Sequence, residues 1–338
     1  MTESLIQPAS FISDALNWHE LLKLFEYSDI YHTFDYVYLE SLRINGTPKL
    51  VTVSTPTGLI GLVMIFRKIP GESKYFDATS VYGYNGVLTS PALSSADFSH
   101  GIAQIKKALV QRGCVSFFNR ESNFTTYQLP ESTQRGKVLG VDLGQTPEVY
   151  EKSLPRRIRQ QINALRKLNY TVIESSAPET VTEFCEVYRK TMLRRDANVS
   201  YFFSYNYFNS LLKVKTNSVR LRSVYHEGKM VCGAIFATEG NHMYYMFSGS
   251  LLDVTPYSVI RLIFDEIIRE NLNTGKKLLH LGGGLGGAED SLYQFKYSFG
   301  KIVLPFYTTQ WILIPEVYSR LSAQSAPESN FFPRYRIA

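Results

Sequence analysis

The stretch KLLHLGGGLGGAEDSLYQFKYSFG, residues 277–300, decides how this chain is read. Leu278–Leu281 is a short apolar run of the length expected for a buried strand. Gly282, Gly283, Gly284, Gly286 and Gly287 follow, and then a short helix with Asp290 as its N-cap. Glycine is used where the backbone takes positive φ or passes close to another group. Strand, glycine loop and helix N-terminus in succession offer N–H donors to an anion. The spacing matches neither a P-loop nor a dinucleotide fingerprint, so an ordinary turn is the competing reading. At about 100° per residue, Leu292, Phe295 and Phe299 share one helical face, with Lys296 at its edge. A lysine there either snorkels to water or points into a cleft.

Working outward, VRLRSVYHEGKMVCGAIFATEGNHMYYMFSGS (219–250) reads as three antiparallel strands broken at Glu227-Gly228-Lys229 and Glu239-Gly240-Asn241. Thr255-Pro256 opens a helix whose apolar positions are Ile260, Ile263, Phe264, Ile267 and Ile268, opposed by Arg261, Asp265 and Arg269. Gly275 ends that helix, and KIVLPFYTTQWILI (301–314) supplies one or two strands. The first half has the same rhythm. PKLVTVSTPTGLIGLVMIFRKI (48–69) is a hairpin turning at Pro56-Thr57-Gly58, followed by a strand near Lys74–Ala78, a helix over Ala96–Gln111 and a strand over Cys114–Arg120. Hairpin, strand, helix, strand in both halves indicates an internal duplication of one α+β unit. The expected fold is mixed α/β of the α+β kind, each half a mostly antiparallel mixed sheet flanked by helices. The expected boundaries are 1–148 and 149–320, with 321–338 a loosely ordered Ser/Pro-rich tail.

The composition, 44% hydrophobic and 20% charged over 338 residues, is that of a globular protein long enough for two domains. A net charge of +6 favours polyanionic partners such as RNA, diphosphate-linked substrates or an acidic membrane surface. The N-terminus MTESLIQPAS has no secretory-signal pattern, and no apolar run approaches the roughly 20 residues of a membrane span. Cys114, Cys185 and Cys232 lie far apart without metal-ligand spacing, so a cytoplasmic protein with no metal is expected. Residues 151–170 hold Lys152, Arg156, Arg157, Arg159, Arg166 and Lys167 against the single acid Glu151. Leu154, Ile158, Ile162 and Leu165 form the apolar face, opposite Arg156, Arg159 and Arg166. Those arginines are either contacts for an anionic donor or a solvated face.

Several stretches together resemble the FemABX-like branch of the GNAT acyltransferase superfamily, which is built from two tandem GNAT-like domains. They are DATSVYGYNGVL (77–88), RRIRQQINALRKLNYTV (156–172), YRKTMLRRDANVSYFFSYNYFNSLL (188–212), and the HLGGG loop followed by DSLYQFKYSFG. The matches are ordered along the chain and span roughly residues 29–310. The resemblance implies transfer of an acyl or aminoacyl group onto a primary amine. Acyl-CoA or aminoacyl-tRNA would be the donor substrate, with no tightly bound cofactor. An amino sugar of a cell-surface glycan precursor is the acceptor expected first, and a peptidoglycan-bridge aminoacyltransferase is the alternative. A non-catalytic protein that binds RNA or a membrane surface through the basic helix is the reading from another class, and transient contact with the inner face of the membrane is compatible with all three.

By the same resemblance Phe295 and Lys296 lie at the reaction centre. Lys296 would supply the cation for a tetrahedral oxyanion, and a backbone carbonyl near Phe295 would receive the amine proton. No Ser-His-Asp or Cys-His arrangement is defensible from spacing, and positioning suffices without a covalent intermediate. Asp77, Tyr82, Tyr84 and Asn85 are candidates for a polar, aromatic acceptor wall, or else a tyrosine-bearing turn packed between strands. Arg194 and Arg195 either face a cleft between the domains or cap their helix. Gly283, Gly284 and His280 complete the candidate substrate contacts, with a hydrogen-bonded core histidine as the rival reading of His280. Two features depart from the family pattern. SGSLLDVTPYSVIRL (248–262) lacks the Arg/Gln-x-x-Gly-x-Gly/Ala loop of acetyl-CoA enzymes, and no charged heptad stretch forms the coiled-coil arm of some bridge-forming enzymes.

Overall fold

A computed structural model describes residues 6–214, 218–251, 256–323 and 331–336. The chain packs as two units, residues 1–135 with 306–338, and residues 136–305.

The first unit begins with β1 (Ser10–Ile12), α1 (Ala15–Leu22), α2 (Phe34–Arg43), β2 (Gly46–Thr55) and β3 (Gly58–Lys68). It continues with β4 (Phe76–Thr79), β5 (Leu88–Thr89), α3 (Ser95–Gln111) and β6 (Cys114–Arg120). β2 and β3 form the expected hairpin, closing on the pair Thr55↔Gly58. Ser94 caps α3 by accepting the Asp97 N–H. Phe98, Ile102, Ile105 and Leu109 then recur at helical spacing and bury that face in a core with Val51, Leu62, Met64 and Phe117. The crossover through α3 lets β4 and β6 pair parallel, while β1–β2, β2–β3 and β3–β4 are antiparallel.

The second unit takes the end of β7 (Ser132–Asp142), then α4 (Pro147–Ser153), α5 (Arg156–Lys167), β8 (Thr171–Glu174), α6 (Pro178–Arg194) and α7 (Tyr205–Leu211). β9 (Val219–His226), β10 (Lys229–Glu239) and β11 (His242–Ser250) are the expected antiparallel strands. α8 (Ile260–Asn271), β12 (Leu278–Gly282) and α9 (Ser291–Tyr297) follow. Its pairing order, β8-β9-β10-β11-β12, repeats β1-β2-β3-β4-β6, with β11 and β12 parallel across α8. Antiparallel strands extend both sets, the short β5 pairing with β3 in the first unit. β7 lies on β12, and β13 (Ile302–Ile312) lies on β6.

Five expectations are revised. The units divide at 135/136 and 305/306 rather than at 148/149 and 320/321, because β7 pairs with β12 and β13 with β6. The basic stretch 151–170 is two helices, α4 and α5, parted at Leu154-Pro155, where proline offers no N–H. α8 starts at Ile260 rather than Pro256, and the expected cap Thr255 lies outside the described residues. Residues 302–312 form one strand, within the one or two expected, but α10 (Pro315–Leu321), a helix too short to show as periodicity, follows it unexpectedly. Finally, residues 331–336 of the tail are docked on the first unit. The Tyr335 and Ser116 hydroxyls lie 2.7 Å apart, Arg336 Nε donates to Asp77 Oδ2 at 2.5 Å, and the Phe332 ring stacks on Tyr318 at 5.8 Å.

Candidate active site

β12 is buried along its whole length and delivers the chain into the glycine loop through Gly282, whose φ is 71°. A Cβ on Gly283 would meet the Lys137 carbonyl at 2.5 Å, and one on Gly284 would overlap the Ala288 carbonyl and the Asp290 carboxylate. The loop therefore closes on the unit's own backbone. Asp290 does the rest, accepting the Tyr293 N–H at 2.9 Å and the Leu285 N–H at 3.1 Å. The Tyr293 N–H foremost holds the Asp290 carboxyl below its usual range. The anion expected at this helix N-terminus is thus the protein's own side chain, which corrects the reading of the loop as an open cradle.

Lys296 is only 7% exposed. Its ammonium donates to the Gly283 carbonyl at 2.6 Å and stands 5.6 Å from the centre of the Tyr245 ring. Burial lowers its pKa to about 8, Asp290 opposes that shift, and Arg195 adds to it. The helical wheel places Lys296 at the edge of the apolar face. In the structure Tyr293, Lys296 and Phe299 are the buried residues, because the loop carbonyl gives the ammonium a partner inside. Phe295 is half-buried, its ring 5.6 Å from Phe264 and 5.7 Å from Phe299. Its carbonyl accepts the Ser298 N–H at 3.2 Å and the Ser298 hydroxyl at 2.6 Å. With two donors already on that oxygen, the Phe295 carbonyl itself is a poor proton acceptor.

Arg261 is a residue the sequence reading assigned to a solvated face. Its guanidinium carbon lies 5.8 Å from the Phe295 ring centre, and its buried Nε has no hydrogen-bond partner among the described residues. Burial pulls its pKa down, and the nearby charge of Arg157 pulls the same way. The only sequence signal was its position three residues before Phe264, the ring against which Phe295 packs. Arg195, exposed at the C-terminus of α6, reaches Lys296 electrostatically, whereas Arg194 donates to the Ser250 carbonyl at 3.0 Å. His280 is 2% exposed and its Nδ1 accepts the Gly282 N–H at 3.2 Å, as a core histidine does.

The three candidate donor-binding arginines part company. Arg166 donates to Asp265 at 2.7 Å. The same buried carboxylate also accepts Arg269 at 2.9 Å and the Tyr150 hydroxyl at 3.3 Å, so Arg166 ties α5 to α8. Arg159 lies 4.0 Å from Glu151, and Arg156 is exposed. In the first unit Asp77 is fully buried between Arg67, at 2.7 Å, and Arg336. Asn85 is also fully buried and donates to the Val63 carbonyl at 3.1 Å. Both are structural ties. Tyr82 and Tyr84 are half-buried, and Tyr84 stands edge-on to Phe306 at 5.7 Å. Among the described residues, no cluster of three or more His, Cys, Asp or Glu could hold a metal ion, and no helix is long and apolar enough to cross a membrane.

Residues 152–297, which contain the glycine loop, Phe295, Lys296, Arg195 and Arg261, match the family model for the acetyltransferase (GNAT) domain. Over 108 residues the chain is 32% identical to the UDP-N-acetylmuramoylpentapeptide-lysine N(6)-alanyltransferase of Weissella viridescens. That match covers 31% of this chain and 32% of the relative, so about a third of the relative's length is spanned. The crystal structure of FemX is similar with a TM-score of 0.68 at 12% identity, covering 93% of this chain and 99% of that one. The structure of L-PGS from Bacillus licheniformis is similar with a TM-score of 0.56 at 14% identity, over 90% of this chain and 95% of that one. A tandem GNAT protein from the clavulanic acid biosynthesis pathway gives 0.50 at 10% identity, over 89% and 98%. The fold is therefore of the tandem GNAT-like class. Within that class the fold is similar to that of FemX, and residues 152–297 carry the GNAT-domain match.

Proposed function

We propose that the chain is an acyl-group transferase of FemX type, moving an aminoacyl group from aminoacyl-tRNA onto a primary amine of a peptidoglycan precursor. The observation that carries this reading is Lys296, a buried ammonium held against the Gly283 carbonyl and flanked by Phe295, within the matched GNAT segment. The alanyltransferase relative favours the aminoacyl donor and the amine acceptor. In this reading the neutral acceptor amine attacks the donor ester, and Lys296 offsets the charge on the tetrahedral oxyanion. The C–N bond forms and the C–O bond breaks; the nitrogen loses one proton and the departing oxygen gains one. Arg261 and Arg157 keep the neighbourhood of Phe295 cationic, which suits a donor carrying phosphates.

A second reading keeps the same chemistry but uses an acyl-CoA donor and an amino-sugar acceptor. The match to a family model named for acetyl transfer favours it. One assay separates the two. Labelled aminoacyl-tRNA and labelled acyl-CoA are offered separately with amino-bearing precursors, and Lys296→Ala serves as the blank. Transfer from aminoacyl-tRNA that RNase abolishes supports the first reading. Transfer from acyl-CoA that survives RNase replaces it with the second. Transfer equal in wild type and Lys296→Ala removes Lys296 from the chemistry in both.

A further inference from the structure

In the second unit α8 meets the sheet in two ways. Early in the helix the Phe264 ring packs edge-on to Phe236 of β10 at 6.2 Å, so helix and sheet touch directly. On the last turn the contact is made by long side chains instead. Arg222 of β9 reaches Glu270, its Nη1 donating to one carboxylate oxygen at 2.9 Å and its Nη2 to the other at 2.6 Å. Beside that bridge lies a cavity of about 480 Å³, a volume that suits a small molecule. Charged groups of both signs line it, Arg220, Glu239, Glu270 and Lys276 among them, together with the buried Met243 and Ile267. The cavity lies at the start of β12, two residues after Lys276, whereas Lys296 comes after the end of that strand. It is therefore apart from the candidate active site.

Two of its charged groups keep bonding capacity that the fold does not use. Lys276 is half-buried, and its ammonium donates to the Gly240 carbonyl at 2.7 Å. Among the described residues no carboxylate pairs with it, and two of its three N–H donors remain. The adjoining backbone is fixed, with the Lys277 N–H on the Asn241 carbonyl at 2.7 Å. Each oxygen of Glu270 takes one N–H from Arg222 and has a second lone pair for another donor. Arg222 is held from its other side by Glu174, 2.7 Å from its Nε. A cation and a carboxylate thus line one cavity, each already oriented by a neighbour, so a ligand joining them meets little ordering cost.

A polyphosphate would face the Glu239 and Glu270 carboxylates on those walls, and a polyamine would face Arg220, Arg222 and Lys276. A small dipolar molecule meets both signs favourably. We infer that this cavity binds a free α-amino acid, its carboxylate on Lys276 and its ammonium on Glu270. Both bonds are charge-assisted, which makes them the stronger kind. The site stands whether or not the chain is a transferase.

Titration calorimetry with L-alanine, L-leucine and L-glutamate tests it. Wild type is expected to bind at least one of the three. Lys276→Ala and Glu270→Gln should each bind that amino acid at least about tenfold more weakly, with Lys276→Arg falling between. The amide of the same amino acid, which lacks the carboxylate, should lose as much. Lys296→Ala should bind like wild type. If Glu270→Gln lowers the melting temperature, Lys276→Ala carries the test, since its ammonium holds only one carbonyl. The inference is overturned if wild type binds none of the three, if the amide binds as tightly as the acid, or if Lys276→Ala binds with unchanged affinity. Loss of binding in Lys296→Ala alone would place the amino acid in the reaction site and overturn it equally. Lys276-dependent binding in a wild type that transfers nothing would sink the transferase reading and leave this site standing.

Discussion

The two units carry the same pairing order and end their parallel strand in opposite ways. In the first, β6 runs out at Arg120, whose guanidinium lies over the Phe118 and Tyr82 rings. In the second, β12 runs into glycines and a short helix that turns Lys296 inward onto a carbonyl. The difference is one of chemistry. An arginine keeps its charge at any accessible pH, while a buried lysine near pKa 8 can trade its proton in the working range. A duplicated framework thus ends one parallel strand in a guanidinium packed on rings and the other in a buried ammonium held by a carbonyl.

The comparison can be broken first at the buried carboxylates that brace each unit. Asp265→Ala strands Arg166 and leaves Arg269 only Glu151, and Asp77→Ala strands Arg67 and leaves Arg336 only the Lys68 carbonyl. Each is expected to cost about 3–5 kcal/mol in urea unfolding, and a loss below about 1 kcal/mol would show that the tie is not structural. Next comes Lys296→Ala, expected to lower transfer about 10²–10³-fold with little change in the urea midpoint. An equal loss of stability and activity would make it a core residue only.

The pH profile sharpens the contrast between lysine and arginine. If the charged form works, kcat should fall as pH passes about 8, because Lys296 loses its proton there. Stability should move the other way. The folded pKa is lowered from 10.5 to about 8, so between those values the unfolded chain binds more protons and the native state gains as pH rises. Lys296→Met should flatten that rise in urea midpoints measured from pH 8 to 10; an unchanged slope would assign the effect elsewhere. A smaller loss, about 1.5–3 kcal/mol, is expected for Arg336→Ala, which leaves Asp77 its partner Arg67. A loss equal to that of Asp77→Ala would mean that the tail holds the unit together. Smallest of all, Arg156→Gln should reduce the salt slope of tRNA binding by about one, and an unchanged slope removes Arg156 from the donor path.

Local signals were enough for most elements. The Thr55–Gly58 hairpin closure, the strands β6 and β9 to β11, and the Asp290 cap follow from alternation, turn residues and capping chemistry within a few neighbours. The roles of charged residues were less legible. Arg166 and Arg120 look alike in a sequence, yet one meets Asp265, 99 positions away, and the other lies over the Phe118 and Tyr82 rings. Asp77 and Asn85 looked like a ligand wall because their partners Arg336 and Val63 lie 259 and 22 positions away.

The sequence by itself determined the α+β class, the duplication, the pairing of FK with a glycine loop and the inward lean of Lys296, because each depends on periodicity or on neighbours within one turn. Only the tertiary structure decided that Asp290 fills the anion position at α9, that β7 and β13 set the unit boundaries, and which cations are spent on carboxylates. Those outcomes depend on groups brought together by packing across long stretches of chain. Strand pairing and ion pairing are contacts in space, and no local pattern records them.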